Sequence, residues 1–249
     1  MKRFLVALQF LTIVPVRIPS EIAKEDFGRS LLYFPLAGMF IGLALSGTTF
    51  LSTFLPNPVV AVLIVILSIV LTGGIHLDGF ADTCDGFYGH RSKEQILEIM
   101  RDSRVGVMGA AGVFCLLALK CTLIATIPHH VLWKLLIMMT VFARWSQVLV
   151  CCTSNYAREE GKARYFVEYA GKKELLAGGI FAVVLFLFLM KLPGLVLFVL
   201  SLLPLVLFIS YAKRKLDGVT GDVIGAASEI AEVAVLFFGL ISLGVWYGV

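Results

Sequence analysis

Apolar residues run through this chain in long blocks instead of alternating with polar ones. The stretch "PVVAVLIVILSIVL" at 58–71, interrupted only by Ser68, shows the pattern most plainly. A bilayer core takes about 20 apolar residues as helix. On that measure the blocks predict about seven spans, at 31–51, 58–75, 106–127, 132–152, 175–190, 194–211 and 226–248. The fifth and sixth are short and separated only by Lys191, Leu192 and Pro193, which predicts a tight helical hairpin. The expected fold is all-α: a polytopic transmembrane helical bundle forming one integral membrane domain over 1–249.

Two shorter elements break the pattern. "MKRFLVALQFLTIVPVR" begins like a secretion leader, but no small-x-small cleavage site follows, and Pro15, Arg17 and Pro19 interrupt it. Residues 1–30 therefore read as a cytoplasmic, interfacial N-terminus carrying a short helix. Glu94, Ile96, Leu97, Ile99 and Met100 read as a short amphipathic helix between the second and third spans.

Composition agrees with a membrane protein. Of 249 residues, 59% are hydrophobic and 15% charged, against about 25% charged in an average soluble domain. The five cysteines form no CxxC pair, and four lie in or beside the apolar blocks, so they read as reduced, buried thiols. Cys84 stands among aspartates, where a thiolate would meet like charge, and is not expected to be a nucleophile.

Charge position says more than the net +4. With the N-terminus inside, the inner segments are 1–30, 76–105, 153–174 and 212–225. Apart from Lys120, Lys134, Arg144 and Lys191, every Lys and Arg falls in them, Lys162 included. That bias sets the orientation. Acidic residues do not ordinarily follow this rule, yet here all but Glu229 and Glu232 lie in the same segments, and those two occupy the first turns of the last span. Polar chemistry gathered on the cytoplasmic side of the cell's inner membrane implies work on cytoplasmic molecules.

The densest polar stretch is "GGIHLDGFADTCDGFYG" at 73–89. Asp78, Asp82 and Asp85 are four and three residues apart, so a continuation of the second span as helix would line them on one face. Like charges so placed call for a cation between them. Oxygen donors without a Cys or His cluster favour a hard one, Mg²⁺ or Mn²⁺. Asp222, Glu229 and Glu232 repeat the pattern at the mouth of the last span, and acids within a span face a partner or a cavity. Two acidic faces at one depth predict a shared divalent-metal site built from Asp78, Asp82, Asp85, Asp222 and Glu229. The segments 76–105 and 212–225 would then form the active site.

Basic groups complete the expectation. Arg101, Asp102, Ser103 and Arg104 precede Gly106 and Gly109, an arrangement that can hold a phosphate. Lys120, nearer the outer end of its span, reads as snorkelling or paired. Arg144 lies deeper and is a candidate to face the cavity; Lys213 is a further candidate for the substrate. Metal-bridging acids beside basic groups fit phosphoryl or nucleotidyl transfer, with a carboxylate taking the proton of an attacking hydroxyl.

The motifs FLTIVPV at 10–16, YFPLAG at 33–38, GGIHLDGFADTCDG at 73–86, LEIMRDSRVGVMG at 97–109 and DGVTGDVIGAASEIAE at 217–232 resemble the cobalamin synthase family, the adenosylcobinamide-GDP ribazoletransferases, nearly end to end. The resemblance implies that a ribose hydroxyl of α-ribazole, or of its 5'-phosphate, attacks the cobinamide-side phosphorus of adenosylcobinamide-GDP. GMP leaves, and Mg²⁺ is required. It carries His76, Asp78, Asp82 and Asp85 as the acidic motif, and Thr220, Gly221, Asp222, Gly225, Glu229 and Glu232 as the C-terminal one. Asp82 and Asp85 are the alternatives for the catalytic base; His76 and Thr220 join the expected substrate contacts. No nucleic-acid partner is expected, and an oligomer is left open.

Two other classes share parts of the pattern. CDP-alcohol phosphotransferases also use aspartates at helical spacing, but need Arg after the Ala that follows the first Asp-Gly; here Asp82 follows Ala81. A divalent-cation transporter would place ionisable groups near the midplane or on both sides, whereas these acids gather on one.

Overall fold

The computed structural model describes residues 1–19, 21–161 and 163–247, with side chains to Gly244; Ser20, Lys162, Gly248 and Val249 lie outside it. Among the described residues eleven α-helices carry the chain. Helix α1 (Lys2–Leu11) buries Val6, Ala7 and Leu11 and is tied by Lys2 to Asp26 (2.7 Å) on α2 (Lys24–Ser30). A 3₁₀ turn, Leu31–Tyr33, joins α2 to α3 (Phe34–Gly47).

Helix α4 (Asn57–Thr72) stops where Gly73 and Gly74 both take left-handed backbone conformations (φ 63° and 69°). Only glycine adopts that conformation without strain. The chain turns by 94° there into α5 (Ile75–Phe87). The sequence expectation of one helix running through the aspartates is thus corrected: the three share a separate helix set across the end of the second span. The short amphipathic helix is α6 (Lys93–Ile99), started by a Ser92–Gln95 capping box, with Ile96 and Met100 buried.

Helices α7 (Val107–Thr126) and α8 (His129–Thr153) follow. Helix α8 is the axis of the bundle, buried along nearly its whole length. The short α9 (Arg164–Glu168) leads to α10 (Lys172–Leu216), and α11 (Gly221–Tyr247) closes the chain. Helix α10 is not one rod. Lys191 has non-helical φ/ψ (55°, −138°), and the rings of Phe186 and Phe198 lie 5.4 Å apart. Twelve residues of continuous helix would separate them by about 18 Å. The chain doubles back at Lys191, as the hairpin expectation required, and Phe142 of α8 packs against both arms.

By length and composition five helices can cross a membrane, or six with the bent α4–α5 pair, against the seven spans read from sequence. The hairpin counts as one element and the second span is broken, which accounts for the difference. The protein is an all-helical, multi-pass membrane protein.

Candidate active site

Helix α5 lies against the first turns of α11 and of α7. Gly79 makes the first contact: a Cβ there would sit 2.8 Å from both the Cα and the carbonyl oxygen of Asp222. Without a side chain, Gly79 lets the two backbones touch, and Asp222 comes against the acidic face of α5. Asp222 is fixed from two more directions. It accepts from Arg158 Nη2 (2.8 Å) and from the Thr220 hydroxyl (3.2 Å), while the Thr220 oxygen accepts from Val223 N (3.3 Å). Arg158 reaches in from the 154–163 loop, held by paired hydrogen bonds between its Asn155 and Ala157 and Val219.

Asp78, Asp82 and Asp222 are the expected acids that gather. The Asp82 carboxyl is pushed up to about 7, by burial first and then by the charges of Asp222 and Asp78. Asp78 is exposed and lines two spaces at once. One is a cavity of about 280 Å³ with His76, Gln147, Tyr156, Arg158 and Asp222 in its wall. The other is an open apolar groove floored by Gly73, Ile75, Leu77 and Ala81.

Other expected residues lie elsewhere. Asp85 caps α7: its two oxygens accept from Gly106 N (2.7 Å) and Gly109 N (2.8 Å), satisfying amides a helix start leaves free. Both Asp85 oxygens are thus engaged by backbone amides, and neither Gly106 nor Gly109 reaches Asp82. Glu229 does not join the metal face. It pairs with Lys120 inside the bundle, where Lys120 also holds Glu232 (2.6 Å). The paired reading of Lys120 matches its position. Arg144 does not face the cavity either; it is fully buried and donates to Ser228 (2.6 Å) and Glu232 (3.4 Å). Desolvation makes these four charges balance one another, while Arg144 Nε and Nη2 are left without a hydrogen-bond partner among the described residues.

The Arg101–Arg104 segment is exposed, and Asp102 and Arg104 border an open groove shared with Asp85 and Arg91. Arg104 chelates Asp102 (2.6 Å from Nη2) and holds its carboxyl at about 2, so this pair is internally neutralised. Ser103 and Arg101 stay exposed. Lys213 binds the Thr153 carbonyl and ties α10 to α8, and buried Thr220 positions Asp222; both hold the site's frame instead of lining its cavity. His76 is where it was expected, in the cavity wall. Burial, then the positive charges of Arg144 and Lys120, hold its imidazole well below the usual range and thus neutral. Burial and Asp85 push the Cys84 thiol up to about 11, which removes it as a nucleophile.

Sequence reasoning missed Arg158, Tyr156 and Gln147. Arg158 carried no signal beyond its loop position. Gln147 did carry one, as an uncharged polar residue toward the inner end of the fourth span.

The acids suit a hard cation in one specific way. Among the described residues no three His, Cys, Asp or Glu side chains form a ready-made metal shell. Mg²⁺, however, ordinarily takes one or two carboxylates and completes its sphere with water and substrate phosphate. Asp78 and Asp82 offer that number, and the like charges that add to burial in lifting Asp82 to about 7 are what a divalent cation relieves.

The chain matches the family model described as cobalamin-5-phosphate synthase over residues 3–240. It is 38% identical over 247 residues to an adenosylcobinamide-GDP ribazoletransferase of Clostridium acetobutylicum, covering 95% of this chain and 98% of the relative. The enzyme of that name from Geotalea daltonii is 37% identical, covering 98% of each chain. That from Acetivibrio thermocellus is 36% identical, covering 96% and 98%. No solved structure matches. A family match running nearly end to end makes this chain a member of the cobalamin-5-phosphate synthase family and a transferase of cobalamin biosynthesis.

Proposed function

We propose that the chain joins adenosylcobinamide-GDP to α-ribazole or its 5'-phosphate, releasing GMP, at a site on the cytoplasmic side of the cell membrane. The observation that supports this most is the convergence of Asp78, Asp222 and Arg158 on the 280 Å³ cavity, with Asp82 close enough to feel all three charges. Anionic diphosphate needs positive charge on arrival, and Arg158 supplies it in a form suited to phosphate oxygens. Asp78 and Asp82 would hold Mg²⁺, with Mn²⁺ as the other hard cation. A metal held by these two carboxylates would supply neutralisation of charge on the transferring phosphoryl group and its leaving GMP.

The residues of the chain do the rest. Asp82 accepts the proton of the attacking ribose hydroxyl, either directly or through water. A new oxygen–phosphorus bond forms on the cobinamide-side phosphorus, and the bond to GMP breaks. Thr220 and Gly79 keep Asp222 in place through these steps, and Asp85 anchors α7 beside them.

The test uses protein in nanodiscs, supplied with adenosylcobinamide-GDP, either acceptor and Mg²⁺ or Mn²⁺, with GMP and cobamide followed by chromatography. Metal-dependent product from wild type, reduced at least about a hundredfold in a folded Asp82→Asn, is the expected result. No product from folded wild type with either acceptor and either metal refutes the reaction. Full activity in Asp82→Asn keeps the reaction and rejects the base.

A further inference from the structure

The 280 Å³ cavity has two different ends. Its mouth carries Asp78, Asp222 and Arg158, while its inner wall is apolar, built around Phe10, Phe34 and Phe166. Those three rings form one cluster, with centroids 4.5 Å apart for Phe10–Phe166, 5.6 Å for Phe34–Phe166 and 6.1 Å for Phe10–Phe34. Within this wall stand two polar side chains with no function so far. His76 is 3% exposed and Gln147 1%, and His76 Nε2 and Gln147 Oε1 are buried without a hydrogen-bond partner. A buried polar atom left unpaired costs about 1–3 kcal/mol. Two of them in one wall mark a space shaped for a ligand that supplies the missing partners.

The ligand must satisfy three conditions. It must be small enough for a space of about 280 Å³, which excludes the corrin macrocycle. It must be flat and largely hydrocarbon, to lie against three phenylalanines. The part that lies against the rings must also carry few hydrogen-bonding atoms, because only His76 Nε2 and Gln147 Oε1 are unpaired there, whereas Tyr156 and Arg158, whose Nε is unpaired too, stand beside Asp222. Guanine fails the last condition: its edges carry several donors and acceptors, most of which would be stranded here. A benzimidazole nucleoside meets all three, since one ring nitrogen is bonded to ribose and the other is the ring's only free polar atom.

We infer that this cavity is the acceptor pocket, which holds the benzimidazole ring of the ribazole against Phe10, Phe34 and Phe166 while His76 Nε2–H donates to its free ring nitrogen. Gln147 Oε1 accepts from a hydroxyl of the ribose. The base inside and the ribose at the mouth bring the attacking hydroxyl to the aspartates. The corrin-bearing donor then approaches from the open apolar groove on the other side of Asp78. This inference rests on the proposed reaction for the identity of the ligand.

Equilibrium binding to the intact protein in nanodiscs, measured calorimetrically without turnover, separates the two proposals. The probes are α-ribazole, GMP, and an indole ribonucleoside, in which C–H replaces the free ring nitrogen. Wild type is expected to bind α-ribazole about tenfold more tightly than the indole ribonucleoside, the loss of one hydrogen bond. His76→Phe keeps the ring but removes the donor. It should bind both nucleosides alike, with GMP affinity unchanged. Gln147→Leu should weaken both nucleosides equally and keep their ratio. Equal binding of the two nucleosides by wild type overturns the inference, as does a loss of GMP affinity instead in either variant. Wild-type data alone decide the case if a variant does not fold. Should binding discriminate as expected while GMP release fails, the pocket stands and the reaction falls.

Discussion

Lys120 offers the sharpest test of the bundle's interior. Its side chain is 8% exposed and pairs with Glu229 and Glu232, whose side chains are 10% and 3% exposed; Arg144, 1% exposed, supplies the second positive charge. Two cations and two anions therefore balance in a region with little water. Lys120→Met removes one cation and keeps the length of the side chain. Glu232 retains Arg144 at 3.4 Å, but Glu229 loses its cationic partner. Breaking a buried pair from one side costs about 3–5 kcal/mol, because the remaining charge stays desolvated. For a protein of this size that lowers the midpoint of thermal unfolding by roughly 10 °C. The measurement is thermal unfolding in nanodiscs by tryptophan fluorescence. Adding Glu229→Met should recover most of the loss, since the Arg144–Glu232 pair is then balanced and the new contact apolar. A cost below about 1 kcal/mol for the single variant refutes the reasoning, and so does a double variant that loses the sum of two single losses.

Three further outcomes follow from the site. The Asp82 carboxyl sits at about 7 in the folded protein against an ordinary 3.8, so folding binds that proton. Its contribution to stability is complete below about pH 4 and is lost as pH rises through 7. With chelator present, wild type should lose about 2 kcal/mol between pH 4 and 8 after allowance for solvent screening, and Asp82→Asn should flatten that profile; parallel profiles reject the crowding argument. Gly79→Ala places a methyl 2.8 Å from Asp222 backbone atoms, which should cost about 1–3 kcal/mol and depress kcat, checked by unfolding and GMP release. Asp85→Ala frees the amides of Gly106 and Gly109, at about 1–2 kcal/mol. Faster hydrogen exchange confined to the start of α7 would confirm the cap.

The spans were legible because a bilayer demands long apolar runs and hardly anything else produces them. The Lys191 hairpin was legible for the same reason, since two apolar blocks separated by three residues leave room only for a reversal. The turn after α4 was less so. Gly73 and Gly74 stood in plain sight, but a glycine pair within an apolar-to-acidic transition fits either an open helix face or a break. Only the left-handed conformation of both residues settles it. Helical spacing correctly put Asp78 and Asp82 together, yet it could not say that Asp85, one turn on, meets the amides of α7. That contact depends on how two distant helix ends pack, and spacing along one helix contains no information about it.

The same limit explains why the acids of α11 divided. Asp222, Glu229 and Glu232 share a helical face, so periodicity groups them, but depth separates them. Asp222 lies in the first turn, where Arg158 meets it and a cavity opens. Glu229 and Glu232 lie two and three turns deeper, where an acid must find a cation within the protein, and Lys120 and Arg144 supply it. Lys120 and Arg144 had been visible all along as the basic residues least easily explained within spans. Matching two unexplained cations to two unexplained anions at similar depth would have predicted this network. Depth also separates the roles of the acids: those near the mouth remain open to a ligand, while those two and three turns further in are consumed by the fold. Asp78 and Asp82, on a helix turned by 94° across the bundle's end, escape that fate because the bend keeps them at the mouth. The glycine pair at the end of α4 is therefore what converts an acidic helical face into a site.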